Sequence, residues 1–575
     1  MRGTARLVLA AGVAALTLTG TASAKDICIQ IAGQPAHVDC QPADDDAATL
    51  DAAVTNANSS AGADRILISP GTLPYDGTTP TSTEDLVIDG SGRDATFAEV
   101  DVNNGALVSL DDPDSVVSDL EVRLLAPGFH RGLVVNGGGL VERVDVTGSS
   151  GGARAIDGAN GFDVTDVMID LSTSSAVGIQ IGGGSGETVL TDVLARAATT
   201  VNMFGPPAVV ITRGQFIGSQ NVINGFNALD LRGDSFVVRS IGNGRAILIQ
   251  NSQAGPAAIV VRHATLWARG NAATVDVFQQ NGGSTTFDLE SSAVVGPASP
   301  TLRGLAQGAG STITFDPDYS SFRPPGAAGE IEQTGGVVTF NPGTGNLDGS
   351  ASPRFVDSLR GDFRIRGNSP FVDAGEPTDV IAGASPLDYL GGTRVLDGNG
   401  DGDARRDIGA EEFDPANPPP PPPTPPSGDG GGDGDGAPPP PPPPPAPPTT
   451  PPVVLPPPPL ARLSLAADST RLDRRGRARL VVGCPRTAPG PCAGALLLRT
   501  VGRVRVGKRR QVLTLGRATF TLRAGRRATV RVRVGRRARR ALRRAGRLRV
   551  RAVASARNAS SATATFTLRP ARRRR

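Results

Sequence analysis

Across residues 64–322 the chain repeats short β-branched and apolar runs, each closed by glycine, asparagine or aspartate, and helix-period spacing is nearly absent. The runs fall at 65–68, 86–89, 141–146, 164–170, 189–194, 208–216 and 259–266. Val144, Val167, Val193, Phe216, Ile241 and Leu266 occupy comparable positions, separated by 23, 26, 23, 25 and 25 residues. A period in the twenties predicts one coil per repeat. A single coil cannot bury its own apolar side, whereas stacked coils share a narrow core and satisfy one another's backbone hydrogen bonds. Glycine clusters at 137–139 and 182–184 suit the sharp corners such a coil needs. A β-sandwich is the alternative, but its turns come every 8–12 residues without the longer period.

An open end of a stack exposes core and unpaired strand edges, so it needs a cover. Residues 44–58 read as that cover. Asp44, Asp45 and Asp46 would cap a helix N-terminus, and Ala47, Leu50, Ala53, Val54 and Ala57 follow at helical spacing. This helix and the following Ala63-Asp64-Arg65-Ile66-Leu67-Ile68-Ser69-Pro70-Gly71-Thr72 resemble the opening of pectin-lyase-like β-helix proteins. The far end carries Ser352-Pro353-Arg354-Phe355-Val356-Asp357, Gly361-Asp362-Phe363-Arg364, Ser369-Pro370-Phe371-Val372-Asp373-Ala374-Gly375 and Arg406-Asp407-Ile408-Gly409-Ala410-Glu411. In order and spacing these resemble one branch of that superfamily, the choice-of-anchor Q type of exported bacterial surface protein. Glu412 stands where an aromatic residue is commoner. The resemblance implies an all-β, right-handed single-stranded parallel β-helix at a cell surface, and says less about chemistry.

Composition divides the chain further. Residues 1–24 have the form of a signal peptide: Arg2 and Arg6, an apolar run, then Ala22-Ser23-Ala24. Residues 25–417 are the β-helix with its closing segment, and 418–459 are a proline-rich linker with a Gly/Asp break. Residues 460–575 alternate apolar residues with arginine, which predicts a small β-sandwich resembling immunoglobulin-like or fibronectin-like domains, with a short helix at 538–545. Export lets thiols pair, so Cys28 with Cys40 and Cys484 with Cys492 read as two local disulfides. Neither couple has zinc-ligand spacing.

The total charge of +4 conceals a division. From Leu460 onward 34 Lys and Arg face two acids, Asp468 and Asp473, a net of +32 that leaves −28 for the rest. No zinc-finger, helix-turn-helix or stacking-aromatic motif accompanies the arginines, so the expected partner is an anionic envelope polymer or polysaccharide rather than a specific nucleic acid. No Leu-Pro-x-Thr-Gly motif precedes Arg572 and no apolar segment approaches membrane-spanning length, so electrostatic retention outside the cell is expected.

Catalytic signals are sparse. Asp111-Asp112 is an adjacent acid pair within the coils, but Pro113-Asp114 after it reads as a turn. Arg143, Arg196, Arg213, Arg239 and Arg262 read as outward solubilising residues, and His130 and His263 as surface or turn residues. Asp397, Asn399, Asp401 and Asp403 alternate with glycine like the first half of an EF-hand, where Ile408 at position twelve rules out the full loop. Asp407 or Glu411 could complete a different calcium cage, and a solvated acidic turn is the other reading. No cofactor is required by either. The function expected is a non-enzymatic binding or scaffold protein for glycans or envelope polymers; the alternative is a polysaccharide lyase or glycoside hydrolase working in a groove of the helix.

Overall fold

The computed structural model describes residues 25–419 and 463–570, apart from short stretches of which the longest are 325–329, 378–383 and 487–491. The leader at 1–24 and nearly all of the linker at 418–459 therefore lie outside the described residues. The chain divides into two compact units, residues 1–350 and 351–575.

The first unit is a parallel β-helix. One face is an eleven-stranded sheet running in order from Thr81–Ser82 to Glu330–Gln333, each strand pairing in parallel with the coils before and after it. Its inward row is Leu133, Ile156, Ile179, Val201, Ile223, Ile247, Val275 and Leu302, neighbour on neighbour and fully buried. Branched side chains stacked in register fill a narrow core without voids, which is why the sequence is rich in them.

The other walls are made by longer strands, among them Val116–Leu124, Leu140–Gly148, Asp163–Leu171, Glu187–Ala197 and Ala208–Gly218. Each bends at one residue with left-handed backbone: Asp119, Arg143, Asp166, Asp192 and Arg213. The bend swings the strand from one wall to the next. A non-glycine residue there costs about 1 kcal/mol, and side-chain pairing along the stack offsets it. Arg143 Nε donates to Asp119 at 2.9 Å and Arg213 Nε to Asp192 at 2.7 Å. Arg93 reaches across coils to both Asp145 and Asp166.

Register corrects part of the repeat reading. Val141 pairs with Val164 and Asp145 with Met168, and Val167 pairs with Val193, so the first three comparable positions stand as read. Val193 then faces Gly214, Phe216 faces Val238, and Leu266 also faces Val238; Ile241 lies outside that row. Coil length varies at the corners, and a slip of two residues keeps the same face inward, so hydrophobicity alone cannot detect it.

The end cover is a helix, Leu50–Asn58, with Leu50, Ala53, Val54 and Ala57 buried in the β-helix core. Its N-cap is Thr49, whose hydroxyl accepts from Ala52 N–H, and not Asp44–Asp46 as the acids suggested. Asp45–Ala47 is instead a short strand parallel to Asp26–Ile29, because extending the ladder satisfies more backbone groups there than another helical turn. The Cys28–Cys40 disulfide ties this cover together.

Within the second unit, Phe355–Asp357 pairs antiparallel with Asp362–Ile365, and the other described residues of 351–417 are irregular. Residues 463–570 form antiparallel sheets of three and four strands, a short hairpin and the helix Arg536–Ala545. Both larger sheets contribute to one apolar core, which also holds the Cys484–Cys492 disulfide.

Candidate ligand-binding face

Alternation along the eleven-stranded sheet turns two rows outward. The first runs Val134, Asp157, Gln180, Asn202, Asn224, Leu248, Asp276 and Arg303; the second includes Phe204, Phe226, Gln250, Phe278 and Leu305. In the first row Asn224 Nδ2 donates to Asn202 Oδ1 at 3.2 Å. Beside them Phe204 and Phe226 stack with centroids 4.9 Å apart and planes 3° from parallel. Phe204 keeps 39% of its surface exposed. An aromatic pair left to solvent beside a ladder of amides has no role in the core, since the inward rows already bury the coil's apolar residues.

Two acids belong to the first row, and both are held by arginine. Asp157 pairs with Arg131 at 3.2 Å and Arg154 at 2.8 Å; Asp276, fully buried, pairs with Arg245 and Arg303. Five inter-strand steps of about 4.8 Å place these acids about 24 Å apart, whereas two-carboxylate glycoside hydrolysis works within about 10 Å. The only His/Cys/Asp/Glu group with metal-ligand spacing among the described residues is Asp85, Asp112 and Asp114. Asp112 there accepts Asp114 N–H, as a turn does, and Asp111 binds Ser109 and Asn136.

Other sequence candidates are redistributed. Arg143 is a buried member of the corner stack, paired with Asp119 and Glu142, and is not a solubilising residue. Arg213 pairs with Asp192, Arg262 with Glu290, and Arg239 lies over Trp267. His130 and His263 are fully buried rather than on the surface; His263 sits at a positive-φ corner with Nδ1 2.8 Å from Asp234. The corner position demands a polar residue that can bond along the stack, a requirement invisible until coils are aligned.

The loop with Asp397, Asn399, Asp401 and Asp403 closes on itself. Asp397 accepts from Gly400 and Gly402 N–H, Asn399 from Asp401 N–H, Asp401 from Asp403 N–H, and Asp403 pairs with Arg405. A cation would compete with those donors for the same oxygens. Asp407 turns inward, accepting from Asp373 and Phe413 N–H, and burial pushes its carboxyl up to about 7. Glu412 meets the buried Arg394 at 3.3 Å. Burial raises Asp145 in the first unit to about 6 against the pull of Arg93.

A raised acid stays protonated in the fold at pH values where the unfolded chain has released its proton. The folded state then binds more protons, so these groups favour folding below about pH 4 and that contribution is lost as pH rises toward 6 and 7. Hydrogen exchange across 384–413 is expected to show protection falling from pH 4 to 7 after correction for intrinsic rates, with Asp407→Asn flattening the profile. A profile rising over that range in the wild type would contradict the assignment.

No protein-family model and no curated protein matches the chain. Among solved structures, the A-module of the mannuronan C-5 epimerase AlgE4 from Azotobacter vinelandii is similar over 52% of this chain and 90% of its own length. Sequence identity is 9% and the TM-score 0.26, too slight a likeness to carry an argument about function. No helix among the described residues is long and apolar enough to cross a membrane.

Proposed function

We propose that this is an exported surface protein whose β-helix binds a linear glycan along the outer face of the eleven-stranded sheet, without turning it over. The exposed stack of Phe204 and Phe226 beside the Asn202–Asn224 amide ladder carries the reading. Sugar rings present apolar faces to aromatic rings and hydroxyls to amides, and a row repeated from coil to coil suits a repeating polymer. The separation of Asp157 from Asp276, and their commitment to arginine, supports binding over hydrolysis. Export rests on the form of residues 1–24 and agrees with two disulfides in the fold. Membership of the choice-of-anchor Q type rests on the motifs between 352 and 411. The basic residues beyond 460 would dock the protein on anionic envelope material.

The test is calorimetric titration of the full chain with neutral and uronate-containing oligosaccharides, alongside assays for unsaturated product and reducing ends with and without calcium. Binding is expected without turnover, and Phe204→Ala/Phe226→Ala should weaken it about tenfold, or about 1.4 kcal/mol. Turnover of any substrate would replace this reading with a lyase or hydrolase.

A further inference from the structure

Resting on the reading of the eleven-stranded sheet as a glycan face, we propose that its ligand is a sparsely acidic glycan, with carboxylates held at two points and neutral sugars between them. Four consecutive strands of the sheet, Val177–Ile181, Thr199–Phe204, Ile223–Phe226 and Ile247–Asn251, contain no ionisable residue. They carry the Phe204–Phe226 stack and the Asn202–Asn224 ladder. At either end of them stands a cluster of the same make: two arginines on one aspartate, beside a phenylalanine ring.

In the first cluster Arg131 and Arg154 lie opposite each other on neighbouring strands and both meet Asp157 Oδ2, while Arg154 lies over the Phe129 ring, 4.7 Å from its centre. In the second, Arg245 and Arg303 both meet Asp276, and Arg303 lies over the Phe278 ring at 5.8 Å. None of the four arginines pairs with another acid among the described residues, so two guanidiniums less one carboxylate leave each cluster at +1. The aspartate holds two like charges together and the ring fixes one of them, which sets the guanidiniums in place before a ligand arrives. A guanidinium has five N–H donors, and Asp157 accepts one from Arg154. The other donors suit a second carboxylate.

The spacing selects against a dense polyanion. Asp157 and Asp276 stand about 24 Å apart, five inter-strand steps. A polyuronate with a carboxylate on every sugar would lay several of them across the four uncharged strands, where they meet amides and rings. A charge taken out of water with no cation to answer it costs heavily. Residues before Leu460 also carry a net −28, which repels a densely charged chain everywhere except at points such as these. A wholly neutral glycan, for its part, gives the two clusters nothing to hold. An arginine present only for solubility needs neither a shared aspartate nor a ring, and here the same assembly recurs at both ends of one neutral track.

The probe is an oligosaccharide of deacylated gellan, a linear glycan with one uronate in each tetrasaccharide repeat. Carboxyl-reduced gellan keeps the backbone without the charge, and polygalacturonate puts a carboxylate on every sugar. All titrations use the full chain carrying Phe204→Trp, whose fluorescence reads occupancy of this face apart from anything held by the basic domain; Trp267 is the only native tryptophan. Gellan is expected to bind at least tenfold tighter than either of the others. Arg131→Gln, at 38% the most exposed of the four arginines, should weaken gellan about tenfold and leave the carboxyl-reduced form unchanged. Asp157→Asn, which removes the carboxylate and keeps both guanidiniums, should tighten gellan about threefold. Arg232→Gln, in the strand Asp230–Ser240 of another wall, should change neither. Equal binding of gellan and its carboxyl-reduced form, tighter binding of polygalacturonate, or a loss in Arg131→Gln shared by the carboxyl-reduced form would overturn the acidic ligand while leaving the glycan face intact. A reporter silent to all three glycans would overturn the glycan face itself.

Discussion

Arg394→Met is expected to cost the second unit about 3–5 kcal/mol, because it removes the one partner a buried ion pair cannot lose without leaving its mate uncompensated. Arg394 is 1% exposed, meets Glu412 at 3.3 Å and donates to the carbonyls of Gly409 and Ala410. Methionine keeps most of the volume and none of the donors. Burial already pushes the Glu412 carboxyl well above its ordinary range, with Asp407 adding to the push, so little would remain to hold a charge there. Arg394→Met/Glu412→Gln should therefore recover part of the loss. Hydrogen exchange of 384–413 reads the change locally; protection unchanged in the single variant would show that the pair contributes nothing to this segment.

Phe236→Ala should be nearly as damaging to the β-helix, at about 3–5 kcal/mol. The ring is fully buried, pairs edge-on with Phe216 at 6.5 Å, and packs where a Cβ on Gly233 would come within 2.4 Å of it. In the neighbouring coil Phe236 faces Gly214. Glycine on two sides leaves the space bounded there by backbone, with the Phe216 ring beside it. Gly233→Val alone should be destabilising through that clash, and in the Phe236→Ala background it should restore stability. Denaturation followed at Trp267, in the next coil, gives the readout. Additive losses in the double variant would mean that glycine and ring do not share the cavity.

What could be read from the chain differed with the kind of interaction involved. The coil period, the end helix and the strands of the basic domain were legible because each rests on a local alternation of apolar and polar residues. Both cysteine pairs were legible too, since short loops leave few competing partners. The eleven-stranded sheet was mostly overlooked: strands such as Arg154–Gly158 and Ile223–Phe226 are four or five residues long and end in or contain glycine. They read as turns. The Phe204–Phe226 stack was equally hidden, because neither ring is unusual until register sets one upon the other.

Local pattern by itself determined that this chain coils into a parallel β-helix and continues into an arginine-rich β-domain, because which residues face inward is decided by neighbours one and two positions away. Tertiary structure alone decided which residues meet between coils: Asp119 with Arg143, His263 with Asp234, Asn202 with Asn224, Arg479 opposite Arg531. Those pairings depend on the exact length of every intervening corner. A change of one or two residues in a corner leaves the hydrophobic pattern almost untouched and moves every partner on the outer face.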